Sequence, residues 1–350
     1  MATGRTRSHD DSDGDEPPRK KPRVRKQAPP KVPDDIQSIT DLPGLVRLAE
    51  NIKSQQGRRH KTQGLWKLSG CIDELNALND LIGLKDLKDQ VTKQIMFFIL
   101  GLNDDEMMHT VISGPPGMAK TTVAEKLGLL YANLGFLSSG HVLTATRGDL
   151  IGQYLGETSM KTQMVLEASV GGILILDEAY ALGDKAGRDS YSAECLNTIN
   201  QFLSEHPEDF MCIVAGYEKE LRSQFFASNP GLERRFTWWF RLQPYGMPDL
   251  VKILMYQITS KKWEYTPDVT EEWLNILMKD KTDMFRMNGG DTLILMDKCK
   301  IAHAQRVFVN TEEKHKCFTR SDIKEGLKIM ELYKKNNGAK RSFAIDHMYV

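Results

Sequence analysis

Two short stretches of the 350-residue sequence carry side chains whose types and spacing suit phosphate chemistry. The first is Gly114-Pro115-Pro116-Gly117-Met118-Ala119-Lys120-Thr121-Thr122. It nearly fits the pattern G-x-x-x-x-G-K-[ST], whose glycines let backbone N–H groups wrap a phosphate chain at a helix N-terminus. Lys120 is placed to reach the β- and γ-phosphates, Thr121 to ligate Mg²⁺, and Thr122 to bond a nearer phosphate. Ala119 departs from the pattern, standing where it has its last glycine. Its methyl is a modest steric burden that leaves the site intact but bears on nucleotide affinity. The second stretch is Asp177-Glu178, which ends the apolar run Ile173–Leu176 and lies 57 residues after Lys120. A buried strand ending in two carboxylates sets Asp177 beside a Mg²⁺ ion and leaves Glu178 to orient and deprotonate an attacking water. Either stretch alone also occurs in ordinary turns. The pair implies binding of ATP or GTP.

Such residues need a sheet to hold them. Residues 108–113 read as a short buried strand before the phosphate loop, with a helix after it through Leu130. Further strands are expected at 142–145, 173–176, 211–215 and 237–242, with helices at 158–170 and 192–203. Strands alternating with helices imply a parallel sheet covered on both faces. Ahead of it, Leu84, Leu87, Val91, Ile95 and Phe98 recur at helical spacing. A sparser helical stretch at 36–52 is followed by a polar joint at 54–63. Beyond Pro248 only helical periodicity remains, at 249–260, 270–279, 290–306 and 320–334, so 244–248 is a domain boundary.

Composition narrows the class. With 40% hydrophobic residues the chain can bury an ordinary globular core. No apolar run approaches the roughly 18–20 residues that span a bilayer, and the N-terminus lacks the apolar stretch of a secretory signal. Five scattered cysteines, none in a C-x-x-C pair, argue for a reducing compartment and against a disulfide framework or zinc ribbon. The 47 basic and 47 acidic side chains sum to zero but are segregated. Residues 10–16 hold five acidic groups and residues 19–26 hold six basic ones. Residues 1–35 have almost no large apolar side chains to offset the entropy of ordering, and read as disordered. Without them, 38 basic groups face 40 acidic ones, so the body has no electrostatic bias toward nucleic acid.

With both motifs in hand, the chain resembles the AAA+ ATPases, nearest to the branch of the red-type Rubisco activases and the stage V sporulation protein K group. Proteins of large DNA viruses of eukaryotes look similar too. The likeness runs over about 75–310. It is carried by Leu81-Ile82-Gly83-Leu84, the phosphate loop, 148–156, Leu176–Leu182, Ala215-Gly216-Tyr217 and Asn229–Phe236. The resemblance implies a five-stranded parallel α/β P-loop domain with a small C-terminal all-α lid, assembled in a ring, usually a hexamer. Ile82 and Gly83 would pack near adenine, which favours ATP over GTP, and Gly290 would make a glycine contact to the nucleotide from the lid. Arg235 aligns with the arginine that reaches the γ-phosphate of the adjacent subunit. Tyr154-Leu155-Gly156 aligns with an aromatic–hydrophobic–glycine pore loop able to grip an extended polypeptide. Ala215-Gly216-Tyr217 offers no Asn or Thr where many relatives place a polar residue near the water.

The expected organisation is a charged tail over 1–35, a helical or linker region over 36–74, an AAA+ nucleotide-binding domain over 75–246, a helical lid over 247–335 and a tail over 336–350. The expected activity is Mg²⁺-dependent ATP hydrolysis driving remodelling or threading of a protein. A nucleic-acid motor or loader and an ATP-gated scaffold with little turnover are the alternatives. The expected partners are other copies of the chain and an unidentified protein, with nucleic acid second and no membrane. An intracellular setting follows, nuclear if Arg19–Lys26 is an import signal rather than a nucleic-acid contact or a solvated tail. Asp189, with Lys185 and Arg188, reads as a solvated loop.

Overall fold

Strands without a solvent-facing side must lie inside a sheet covered on both faces, and the chain supplies three of them. They are the centre of the fold in the computed structural model, which describes residues 39–54, 64–102, 108–154, 156–183, 189–206, 209–309 and 316–346. In chain order the first elements are α1 (Leu42–Ser54), α2 (Ile72–Asn79), α3 (Lys85–Ile99), β1 (Thr110–Ser113), α4 (Lys120–Asn133) and β2 (Val142–Ala145). Then follow α5 (Arg147–Leu150), α6 (Glu157–Glu167), β3 (Ile173–Leu176), α7 (Ser190–Glu205) and β4 (Met211–Gly216). A short α8 (Glu218–Glu220) continues as a π-helical turn, Leu221–Phe226, before α9 (Pro230–Glu233) and β5 (Trp238–Arg241). The last group is α10 (Met247–Ser260), β6 (Glu264–Tyr265), α11 (Glu271–Met278), α12 (Gly289–Val309), β7 (Cys317–Phe318) and α13 (Arg320–Asp346).

Five strands form one parallel sheet in the order β2-β3-β4-β1-β5. Every residue of β1, β3 and β4 is buried, while β2 and β5 at the edges are partly exposed. The two faces bury separate apolar clusters. Ile112, Ile173 and Ile213 point to the side covered by α1 to α4. Val111, Leu174 and Val214 point to the side covered by α6, α7 and the segment after β4. The period of two along each strand produces this division.

The region before Lys85 is tied into the first cluster. Leu42, Leu45 and Ala49 of α1 are at most 1% exposed and pack with Leu75 and Leu78 of α2. Each fully buried leucine contributes about 1.5–3 kcal/mol relative to exposure. The adjacent Trp238 and Trp239 also divide between the faces. Trp238 meets Phe97 and Phe98 at centroid distances of 5.7 and 5.8 Å, whereas Trp239 meets Phe226 at 5.1 Å. Both are thus used internally. Behind the sheet, His109 is fully buried and accepts a hydrogen bond from the Cys212 amide at 3.1 Å. Burial, and after it the nearby Arg235 charge, pushes the His109 pKa down to about 3.

The helices after Met247 share a third cluster built from Leu250, Leu254, Leu274, Leu295, Phe318 and Leu327. A two-residue parallel ladder between β6 and β7 adds to them. His303 belongs to this packing. It lies against Trp263 and Phe318 and faces Asp322, which also takes two bonds from Arg306 at 2.9 Å. Among the described residues no group of three or more His, Cys, Asp or Glu side chains is arranged to hold a metal. No described helix is long and apolar enough to cross a membrane.

Candidate nucleotide site and its family

Parallel strands bring their C-terminal ends to one edge of the sheet, and the residues singled out for phosphate chemistry leave the sheet there. Gly114–Thr122 follows β1, Asp177-Glu178 follows β3, and Tyr217 follows β4. The Thr121 hydroxyl donates to Asp177 Oδ2 at 2.6 Å, and the Glu178 amide donates to Asp177 Oδ1 at 2.9 Å. The side chain of Lys120 donates to the carbonyls of Gly114 and Pro115 at 3.2 and 3.0 Å. Its ammonium lies 4.4 Å from the centre of the Tyr217 ring, and Tyr217 stacks on Tyr180 at 5.3 Å. Burial lowers the pKa of Lys120, partly offset by Asp177 and Glu178. Met118 is fully buried and anchors the loop in the core, while Thr122 is exposed.

Backbone strain concentrates at the same place. Six described non-glycine residues have positive φ. Lys262 and Lys316 flank the small ladder, but Leu84, Ala119, Glu178 and Asn288 all border the phosphate loop or its neighbours. Left-handed backbone at such residues costs about 1–3 kcal/mol each and persists where the surroundings dictate it. Ala119, with φ 54° and ψ 36°, takes this conformation at the start of α4, which is why the pattern prefers glycine there. Gly117 is needed for a further reason. At φ 73° a Cβ would sit 1.9 Å from the Met287 carbonyl oxygen, so the loop touches the backbone before α12.

The helical region after Met247 therefore reaches the loop directly. The Gly289 amide donates to the Gly117 carbonyl at 3.1 Å, and Asn288 Nδ2 donates to the Pro116 carbonyl at 3.1 Å. A Cβ on Gly290 would meet only Met287 at 3.8 Å, while the Gly290 amide itself lies 2.9 Å from where a Gly117 Cβ would be. Gly83, beside Ile82, packs on the segment leading into α10; a Cβ there would meet Asp249 at 2.8 Å and Tyr245 at 3.2 Å. Beside the loop opens a cleft of about 580 Å³ lined in part by Gly114, Pro115, Pro116, Tyr217, Arg241 and Met287.

Arg235 sits elsewhere. It precedes β5, whose first residue, Trp238, pairs with Thr110 at the start of β1, whereas the phosphate loop follows the far end of β1. Its guanidinium bonds to the Ser204 hydroxyl and to the Gly231 carbonyl, while Arg234 beside it is exposed. Tyr154 is 69% exposed. Its amide and that of Gln153 both donate to Glu157 Oε2, at 3.2 and 3.1 Å. Gly156 turns the chain into α6 at φ 84°. Leu155 and the basic cluster Arg19–Lys26 lie outside the described residues, as do Lys185 and Arg188.

Asp189 is not a solvated loop residue. It caps α7 by accepting from the Tyr191 and Ser192 amides and pairs with Arg147 at 2.6 Å. Tyr180, Tyr217 and Asn288 have places at this site that no role in the sequence had marked. For Tyr217 a signal existed, since it directly follows the strand end where many relatives carry a polar residue.

Comparison with known proteins fits this geometry. Residues 110–229 match the family described as ATPase family associated with various cellular activities (AAA). The chain is 33% identical over 318 residues to a putative CfxQ-like protein of Acanthamoeba polyphaga mimivirus, covering 87% of this chain and 76% of that protein. It is 30% identical over 256 residues to a chloroplastic ribulose bisphosphate carboxylase/oxygenase activase of Cyanidioschyzon merolae, covering 71% and 86%. The chain belongs to the AAA ATPase family. Within that family it groups with CfxQ, CbbX and Rubisco-activase-like proteins, among them CbbX of Cereibacter sphaeroides at 30% identity over 249 residues, covering 69% of this chain and 80% of CbbX. Among solved structures, the AAA domain of FIGL-1 in complex with ADP superimposes with a TM-score of 0.51 at 16% identity, covering 72% of this chain and 83% of that one. A RuvB mutant of Thermotoga maritima gives 0.50 at 14%, covering 72% and 71%. At such identities these two speak for the fold.

The ATPase hydrolyses ATP, and its site offers the groups that nucleotide binding needs. The loop before α4 brings backbone amides and Lys120 to one place, and the cleft beside it is walled by Gly114, Pro115 and Pro116 rather than by Lys120, Thr121 or Asp177. The Thr121 hydroxyl and Asp177 carboxylate, 2.6 Å apart, form a hard-oxygen pair of the kind Mg²⁺ prefers.

Proposed function

We propose that this ATPase works as a Mg²⁺-dependent ring, usually of six copies, that uses hydrolysis to remodel or thread a protein. Lys120 holds the β- and γ-phosphates, Thr121 and Asp177 hold Mg²⁺, and Glu178 orients and deprotonates water. When bound, Mg²⁺ neutralises charge on the transferring phosphoryl group. Residues 75–246 serve as the nucleotide-binding domain and 247–335 as its lid.

The observation that carries the ring is the position of Arg235. It lies toward the opposite end of the parallel strands from Lys120, so a neighbouring copy is the natural site of its action. Arg235 would leave Ser204 and Gly231 to reach that copy's γ-phosphate. The protein substrate is supported by Tyr154. An exposed aromatic clipped at its backbone by Glu157 suits sequence-tolerant grip on an extended chain. The nearly neutral body and the segregated basic run favour a protein client and a nuclear address over a nucleic-acid track.

Mixing two inactive variants tests the ring. Lys120→Ala lacks the phosphate contact but keeps Arg235, and Arg235→Ala keeps the site but lacks the arginine. Each alone should hydrolyse little ATP, and a mixture should recover activity because intact sites then face intact arginines. Co-assembled variants that recover nothing would contradict action between subunits.

A further inference from the structure

Asn288 stands between the phosphate loop, the joint and the lid. It is 2% exposed and has left-handed backbone, φ 49°. Both ends of its amide are used. Nδ2 donates to the Pro116 carbonyl at 3.1 Å, across 172 residues of sequence. Oδ1 accepts from the Tyr245 amide at 3.0 Å. The next residue, Gly289, adds the bond to Gly117. One side chain thus fixes the loop that wraps phosphates to the joint whose Tyr245 packs beside Gly83.

What lies behind Asn288 is stiff. The Met287 amide donates to Asp291 Oδ2 at 2.7 Å, and Asp291, 1% exposed, pairs with Lys334 of α13 at 2.7 Å. Lys334 also donates to the Met284 carbonyl. The start of α12 is therefore anchored to α13, and α10 to α13 share one apolar cluster. A shift of Pro116 would pass through Asn288 into the lid as a body rather than being absorbed locally. Such a contiguous set of bonds between packed elements is a physical route for coupling.

We infer that Asn288 is a positioning residue that transmits nucleotide occupancy at the phosphate loop to the lid, through its bond to Pro116. The inference rests on Gly114–Thr122 being the ATP site. It concerns a neutral amide and assigns Asn288 no contact with the nucleotide.

Two substitutions separate the parts. Asn288→Asp keeps the acceptor for Tyr245 and tolerates left-handed backbone, but its carboxylate cannot donate to Pro116. Asn288→Gly keeps the backbone and loses both bonds. Hydrogen exchange of the full chain, with Mg²⁺ and a non-hydrolysable ATP analogue or without, reads the outcome. In the wild type the analogue should slow exchange at 114–122, and at 285–296 by at least about fivefold, the low end of site-to-site coupling. In Asn288→Asp, protection at 114–122 should persist while that at 285–296 falls to less than about half its wild-type extent, the Gly289–Gly117 bond keeping the remainder, and Asn288→Gly should match it. Wild-type protection of the lid in Asn288→Asp would overturn the inference. So would loss of coupling in Asn288→Gly alone, which would assign it to Tyr245. Unfolding of both variants would make Asn288 a fold element and overturn it too. No protection at 114–122 in the wild type would instead mean that the ATP-site reading has failed.

Discussion

The Thr121 hydroxyl donates to Asp177 Oδ2 at 2.6 Å, joining the start of α4 to the end of β3 across 56 residues. Two hard oxygens thus meet beside the phosphate loop, the pair that the proposed function assigns to Mg²⁺. Thr121→Val removes the hydroxyl with little change of shape. It should raise the Mg²⁺ concentration for half-maximal ATP turnover by at least about tenfold. A Mg²⁺ titration of phosphate release checks this, and an unshifted midpoint would remove Thr121 from the ion site.

Ala119 carries its strain in the folded loop itself. Its left-handed backbone is set by the turn into α4. Ala119→Gly should therefore stabilise the fold by up to about 1 kcal/mol and raise Tm by about 2–4 °C. The KM for ATP should stay close to that of the wild type, because the same turn is present with or without ligand. A thermal melt and a KM measurement separate this from an effect on binding.

Tyr217 stands where a polar residue was missing, and its ring does the work the geometry allows. It lies over the Lys120 ammonium and on Tyr180. Tyr217→Leu should lose a cation–π contact worth about 0.5–2 kcal/mol; with the ring holding Lys120 against the bound phosphates, that loss is about 2–30-fold in ATP affinity. Tyr217→Phe should retain it. Titration with a fluorescent ATP analogue distinguishes the two; equal losses would point to the hydroxyl instead.

His109 predicts how stability responds to acid. Its folded pKa, about 3, lies below the unfolded value, so the neutral ring is favoured in the fold. Its contribution is fully present above about pH 6.5 and is lost as pH falls toward 3. One proton changes stability by about 1.4 kcal/mol per pH unit in that window. In urea unfolding at pH 7 and pH 5, His109→Gln should show a smaller loss between the two than the wild type. Equal slopes would remove His109 as the cause.

Much of this was legible because it is local. Ile173–Leu176 announces a central strand by having no polar side, and the phosphate loop by its residues in sequence. Thr121 and Asp177 then come together because both follow strands of one parallel sheet at the same edge. Asn288 was not legible, since its meaning comes from Pro116, far away in sequence, and a polar residue near glycines reads as a turn. Asp189 was misread for the same reason: its partner Arg147 is 42 residues earlier. Near the N-terminus, α1 read as a sparse helix, yet Leu42, Leu45 and Ala49 are buried by α2 and α3 rather than by their own sequence neighbours.

Hydrolysis turns on Glu178. It is exposed, with strained backbone at φ 49°, next to a carboxylate bonded to Thr121. The most direct test measures ATP binding by calorimetry and steady-state phosphate release on Glu178→Gln. Binding should remain as in the wild type while turnover falls by about 10²–10⁴-fold. Phosphate release at the wild-type rate would contradict the assignment of Glu178 as the base.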